Sequence, residues 1–188
     1  MSTWEEELVE GIYERFNWEP KTYQWGDIEQ CRTRYNKDWS IYKWGSSWDE
    51  EISKYGGKAD NKTALDIEDD VAHVELGGKW RLPTKDEIQE LADKCKLEII
   101  KLPESEGHAP SLYYKEAWKI TGPNGKSIIF PLERTDLYDT DNLCWSSSLD
   151  PEKPWLAYCL YVQMSYGPKL EVITDWRADP LPIHAVCD

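Results

Sequence analysis

With two phenylalanines and two methionines in 188 residues, the chain has no core built on those side chains. No apolar run approaches the ~20 residues that a membrane-spanning helix requires. The opening "MSTWEEELVEGIYERF" has neither the basic start nor the apolar stretch of an export signal, so the usual secretory route is not expected. Basic residues are few, 22 against 36 acidic, for a formal charge of -14. Phosphate backbones and anionic lipid are therefore poor partners, and neither nucleic acid binding nor membrane insertion is expected. The five cysteines, Cys31, Cys95, Cys144, Cys159 and Cys187, never form a C-x-x-C pair, which argues against a structural zinc site. Their odd number leaves at least one thiol outside any intrachain disulfide, and reduced thiols are expected.

What is abundant is tryptophan and tyrosine, eleven of each. These rings join a large apolar area to a polar tip, which suits half-buried loops and recognition surfaces as well as cores.

"GGKWRLPTKDEIQEL", residues 77–91, has the clearest local logic. Gly77 and Gly78 free the backbone for a turn, and Pro83 forces Leu82 to be extended. Thr84 then supplies a hydroxyl to the first-turn amides while Glu87, three residues on, reaches back, forming a capping box. Ile88, Leu91, Ala92 and Cys95 recur on one helical face. By itself this is scaffold.

Residues 1–20 read as a separate helical segment for attachment or oligomerisation, with Trp4, Leu8, Val9, Ile12 and Phe16 mostly along one side. Residues 21–188 read as the domain. Asp66 to Asp70 precede a short apolar run and read as a solvated acidic helix start. "AWKITGPNGKSIIFPL" reads as a hairpin turning at Pro123, Asn124 and Gly125. "LCWSSSL", "WLAYCLYVQM", "KLEVITDW" and "PIHAVCD" read as strands, and in "AYCLYV" alternation sends one parity inward. Helices early and antiparallel strands late make the class α+β.

The ordered series "YQWGD", "WSIYKWGSSWDEEISKYGG", "DNKTALDIEDDVAHVELGGKWRLPT", "KITGPNGKSIIFPL", "CWSSSL" and the closing "VC" spans roughly residues 23 to 187. It resembles the C-type lectin-like domains of the major paralogous family of Bacteroidetes and Fibrobacter, relatives of the formylglycine-generating enzymes and of retroelement variable proteins. The resemblance implies two helices and a twisted antiparallel sheet with long loops. It also implies that the first and last strands pair. The relatives' first-strand sequence is missing, so the last strand, around Ile183 to Cys187, is expected to have an exposed edge or a different partner.

The formylglycine-generating relatives use a closely spaced cysteine pair near the C-terminus. Here Cys144, Cys159 and Cys187 are far apart, so an enzyme is not expected. Ser146, Ser147 and Ser148 with His184 could in principle form a hydrolytic set, but "CWSSSL" is no nucleophile elbow and reads as polar strand. Asp66, Glu68 and Asp70 alternate like an EF-hand start, yet Val71 stands where the loop glycine belongs and Gly77 where the final glutamate belongs. No metal and no cofactor are expected. His73 reads as a core or hydrogen-bonded histidine.

In the retroelement relatives, the ligand-binding face follows the tryptophan-serine segment. Carried over, this implies a protein or glycan ligand at Trp145, Trp155, Tyr158, Tyr166, Asp175, Trp176, Arg177 and Asp179. Trp155 and Trp176 are expected to be exposed anchors, with Arg177 orienting a polar group and Asp175 or Asp179 tuning charge. Relatives are exported or lipid-anchored at cell surfaces. Virion display of a phage protein made in bacterial cytoplasm would reconcile that setting with the missing export signal. A cytoplasmic, inhibitor-like partner-binding protein fits the same facts, as does a homo-oligomer formed through residues 1–20.

Overall fold

The structure, a computed structural model, describes residues 22–29, 53–54, 58–59, 62–101, 116–131, 143–163 and 167–187. The segment read as a helix at residues 1–20 lies outside them, as do Cys31 and Tyr166. In chain order the elements are β1 (Thr22–Tyr23), β2 (Ser53–Lys54), β3 (Lys58–Ala59), a 3-10 turn at Ile67–Asp69, α1 (Val71–Leu76), β4 (Trp80–Arg81) and α2 (Lys85–Lys94). They continue with β5 (Lys96–Lys101), β6 (Glu116–Thr121), β7 (Ser127–Pro131), β8 (Leu143–Leu149), β9 (Leu156–Gln163), β10 (Lys169–Trp176), β11 (Leu181–Pro182) and β12 (Val186–Cys187). Among the described residues every strand pair is antiparallel, so the mixed α+β class holds.

The centre is the sheet β10-β9-β8. Its middle strand corrects the expectation that one parity faces inward: both do. Ala157 and Cys159 enter one core with Trp145, Leu149, Trp25, Ala72, Leu82 and Leu181. Leu160 and Val162 enter another with Cys144, Leu170, Ile88 and Leu91 of α2, and Trp118 and Ile120 of β6. A strand covered on both faces reads as a continuous apolar run. The second face is covered by α2 and by Trp118 and Ile120 of the sheet β5-β6-β7. Its β6–β7 hairpin turns at Pro123–Gly125 as read, with Gly125 at φ 81°, in the left-handed region that glycine tolerates.

α2 starts as the sequence reading expects. Thr84 Oγ1 accepts from Glu87 N at 3.3 Å, and Glu87 Oε2 accepts from Thr84 N at 2.8 Å. Arg81 adds a fork, with Nη1 and Nη2 each donating to Glu87 at 2.8 Å. The guanidinium hydrogen bond, followed by the Thr84 bonds, holds the Glu87 carboxyl at about 2 against the opposing effect of burial. A carboxylate held lower in the fold than in the unfolded chain stabilises above its unfolded pKa, and this stability is lost as pH falls through the folded one. Wild type is therefore expected to lose stability between pH 4.5 and about 2, and Glu87→Gln to lose less over that window. Urea midpoints at stepped pH read the difference; parallel curves for the two proteins would refute it.

Ahead of α2, Gly77 at φ 71° and Gly78 at φ 60° both need the positive-φ freedom that their lack of Cβ allows. The acidic run leads into a helix as read and Glu68 is exposed, but its last two acids are not solvated: Asp69 is 5% and Asp70 4% exposed. Asp70 Oδ1 accepts from Ala72 N at 3.0 Å and His73 N at 3.2 Å, capping α1, while its Oδ2 accepts from Leu82 N at 2.8 Å. One side chain thus ties a helix start to the extended segment before the next helix. Burial raises the Asp70 carboxyl above its usual range, against the downward pull of the three amides. Asp66 takes no part in this cap; it pairs with Lys62 at 2.6 Å.

The last strand has a partner. Val186 pairs with Arg81 and Cys187 with Trp80. Leu181 pairs with Tyr23 and Pro182 with Thr22, which closes the N-terminal described segment onto the C-terminal one.

Candidate functional site

β8 carries a register irregularity between Trp145 and Leu149, where three consecutive serines replace ladder bonds. Ser146 Oγ donates to Tyr158 O at 2.7 Å, and Ser147 Oγ donates to Pro83 O at 3.3 Å. Ser148 Oγ accepts from Lys85 N at 3.0 Å. These hydroxyls are committed to the backbone and hold the bulge against the start of α2, which explains a serine triplet in a buried strand without a nucleophile. Burial pushes the Cys144 thiol up to about 12 and also raises Cys159, so neither thiol offers the thiolate that reactive cysteines need. Burial lowers the His184 imidazole to about 4, leaving it neutral at physiological pH. His73 is hydrogen-bonded as read, its Nδ1 lying 3.3 Å from Trp80 O. Among the described residues, no group of three or more His, Cys, Asp or Glu is placed to hold a metal ion, and no helix is long and apolar enough to cross a membrane.

Of the candidate recognition residues, two are interior. Trp145 is 1% exposed, with its indole donating to Tyr23 O at 2.9 Å. It lies on the β8 face covered by Trp25, Ala72 and Leu181, so it cannot meet a ligand. Arg177 is 0% exposed. Its backbone accepts from Trp25 N and donates to Trp155 O, at 2.9 and 3.0 Å, which places it under the N-terminal segment instead of on the surface. The expected role of Arg177 in orienting a ligand group is therefore corrected to an interior position. Tyr166 lies outside the described residues.

The other five gather at one end of the central sheet. β9 begins and β10 ends there, Trp176 opposite Leu156, and the Arg177–Trp155 bond extends the pairing by one residue. Trp155 and Trp176, both half-buried, are thus held on adjacent backbone. The turn beyond is fixed by Asp179 N donating to Trp176 O at 2.7 Å and by Gln24 Nε2 donating to Ala178 O at 2.7 Å. Asp175 Oδ1 accepts from Trp176 N at 2.8 Å. Tyr158 stands opposite Thr174, on the same face as Trp176 and two places inward, the diagonal spacing at which long side chains meet. Lys85 Nζ lies 4.2 Å from the Tyr158 ring centroid, within cation–π range. Lys85 was not singled out in the sequence; its only signal is its position as first residue of the capped helix.

The arrangement offers half-exposed rings and carboxylates on rigid backbone, with one ammonium stacked behind. It can desolvate an apolar or sugar-like face with little loss of side-chain freedom. Compared with known proteins, the chain matches no family model and no curated protein, and no solved structure matches it.

Proposed function

We propose that the chain is a non-enzymatic recognition domain of the C-type lectin-like class that binds a protein or glycan, without metal or cofactor, through the end of its central sheet. Trp155, Tyr158 and Trp176 supply contact area, and Asp175 and Asp179 supply polar selectivity. The observation that carries the reading is the gathering of five candidate residues, two half-buried tryptophans among them, at one end of the central sheet on backbone fixed by the Arg177–Trp155 and Asp179–Trp176 bonds. The ordered motif series supports the fold assignment. The formal charge of -14 favours neutral or cationic partners over anionic ones.

The test is a glycan and protein array probed with the wild-type chain, followed by titration of any ligand found. Trp155→Ala and Trp176→Ala are each expected to weaken binding about thirtyfold, the cost of a central aromatic anchor. Circular dichroism controls for folding. Undiminished affinity in the double variant would remove this face from recognition.

A further inference from the structure

Away from that face, between the C-terminal half of α2 and the tip of the β6–β7 hairpin, lies a cleft of about 270 Å³. Its floor is apolar. Leu91 comes from the helix, while Ile120 and Ile128 face each other across the hairpin. All three pack into the core beneath, so the floor is rigid. The rim carries Glu87, Glu90, Lys94 and Lys126; with Arg81 pairing Glu87 from outside the rim, the pairs cancel and leave Lys126 over. Glu87 is held by Arg81 at 2.8 Å and Glu90 by Lys94 at 2.6 Å. Lys126, exposed at the hairpin tip, makes no ion pair among the described residues. Beside it, Asn124 uses its Oδ1 to accept from Lys126 N at 3.0 Å, which leaves its side-chain NH₂ as a second donor.

We propose that this cleft binds a small amphipathic monocarboxylate, with its alkyl part over Leu91, Ile120 and Ile128 and its carboxylate between the Lys126 ammonium and the Asn124 amide. The charge count selects the class: a cation would face Lys126, and a second negative charge would find no uncompensated partner on the rim. Size selects the length, because the cleft is smaller than the roughly 300–1,000 Å³ of pockets that enclose drug-sized ligands. Glu87 and Glu90 do not repel the carboxylate strongly, since each is already neutralised by its own cation.

Octanoate is the probe, with octanol as its uncharged counterpart, titrated into the full chain labelled at isoleucine and leucine methyls and followed by NMR. Saturable shifts at Ile120, Ile128 and Leu91 are expected, weakened about tenfold in Lys126→Glu through loss of the charge-assisted contact. The exposed Lys126 is not part of the core, so this variant keeps the fold. Trp155→Ala and Trp176→Ala should bind octanoate as wild type does, which keeps the cleft separate from the recognition face. The assignment is overturned by any of four results: no saturable shift at these methyls, octanol binding as tightly as octanoate, unchanged affinity in Lys126→Glu, or loss of octanoate binding in the tryptophan variants.

Discussion

Trp145→Ala is expected to destabilise the domain by about 4 kcal/mol, the middle of the range for truncating a buried aromatic. Single domains have only about 5–15 kcal/mol in total, so this is a large fraction of the stability available. The magnitude follows from the position. The indole is 1% exposed, it touches the core that joins β8 to α1 and the N-terminal segment, and its nitrogen donates to Tyr23 O at 2.9 Å. Truncation opens a cavity and removes that hydrogen bond in one step. A reciprocal bond, Trp25 Nε1 to Ser146 O at 2.9 Å, crosses the same interface and cannot close the gap left by the ring. Trp145→Phe separates the two contributions: it keeps most of the volume and loses the donor, and is expected to cost about 1–2 kcal/mol. Urea denaturation followed by circular dichroism measures both. A loss below about 1 kcal/mol for Trp145→Ala would mean that the two segments do not depend on this ring.

Asp70→Ala is the second large effect, expected at about 3 kcal/mol. Two amides at the start of α1 lose their cap, worth about 1 kcal/mol, and the buried Leu82 N–H loses its acceptor, worth about 1–3 kcal/mol. Asp70→Asn retains one acceptor oxygen but turns an NH₂ towards one of these donors, so it is expected to fall between wild type and alanine. Hydrogen exchange distinguishes this from a general loosening. Ala72, His73 and Leu82 amides should lose protection first, and uniform loss across β9 would contradict a local role.

Local chemistry explains why some of this was readable in advance. The Thr84–Glu87 capping box, the turn at Pro123–Gly125 and strands β8, β9 and β10 depend on near neighbours, and the structure has them where residue type and spacing put them. β5 was missed. Lys96 follows the helix cap Cys95 with no turn residue between, and its burial pattern lacks the alternation of a half-buried strand. Asp70 looked like one more acid in an acidic run; what distinguishes it is Leu82 N, twelve residues away. Trp155 and Trp176 are half-buried, less open than the exposed anchors expected, whereas Trp145 and Arg177 are fully buried.

The sequence by itself determined the class, the start of the second helix, the hairpin and the stock of rings from which a recognition face could be made, because each of these depends on backbone preference and spacing over a few residues. Only the tertiary structure decided which rings keep their surface, which acid is buried, and that the middle strand is covered on both sides. Those outcomes rest on contacts between segments far apart in the chain, such as Gln24 with Ala178, 154 residues away, and no local pattern encodes which distant segment will lie across a given side chain.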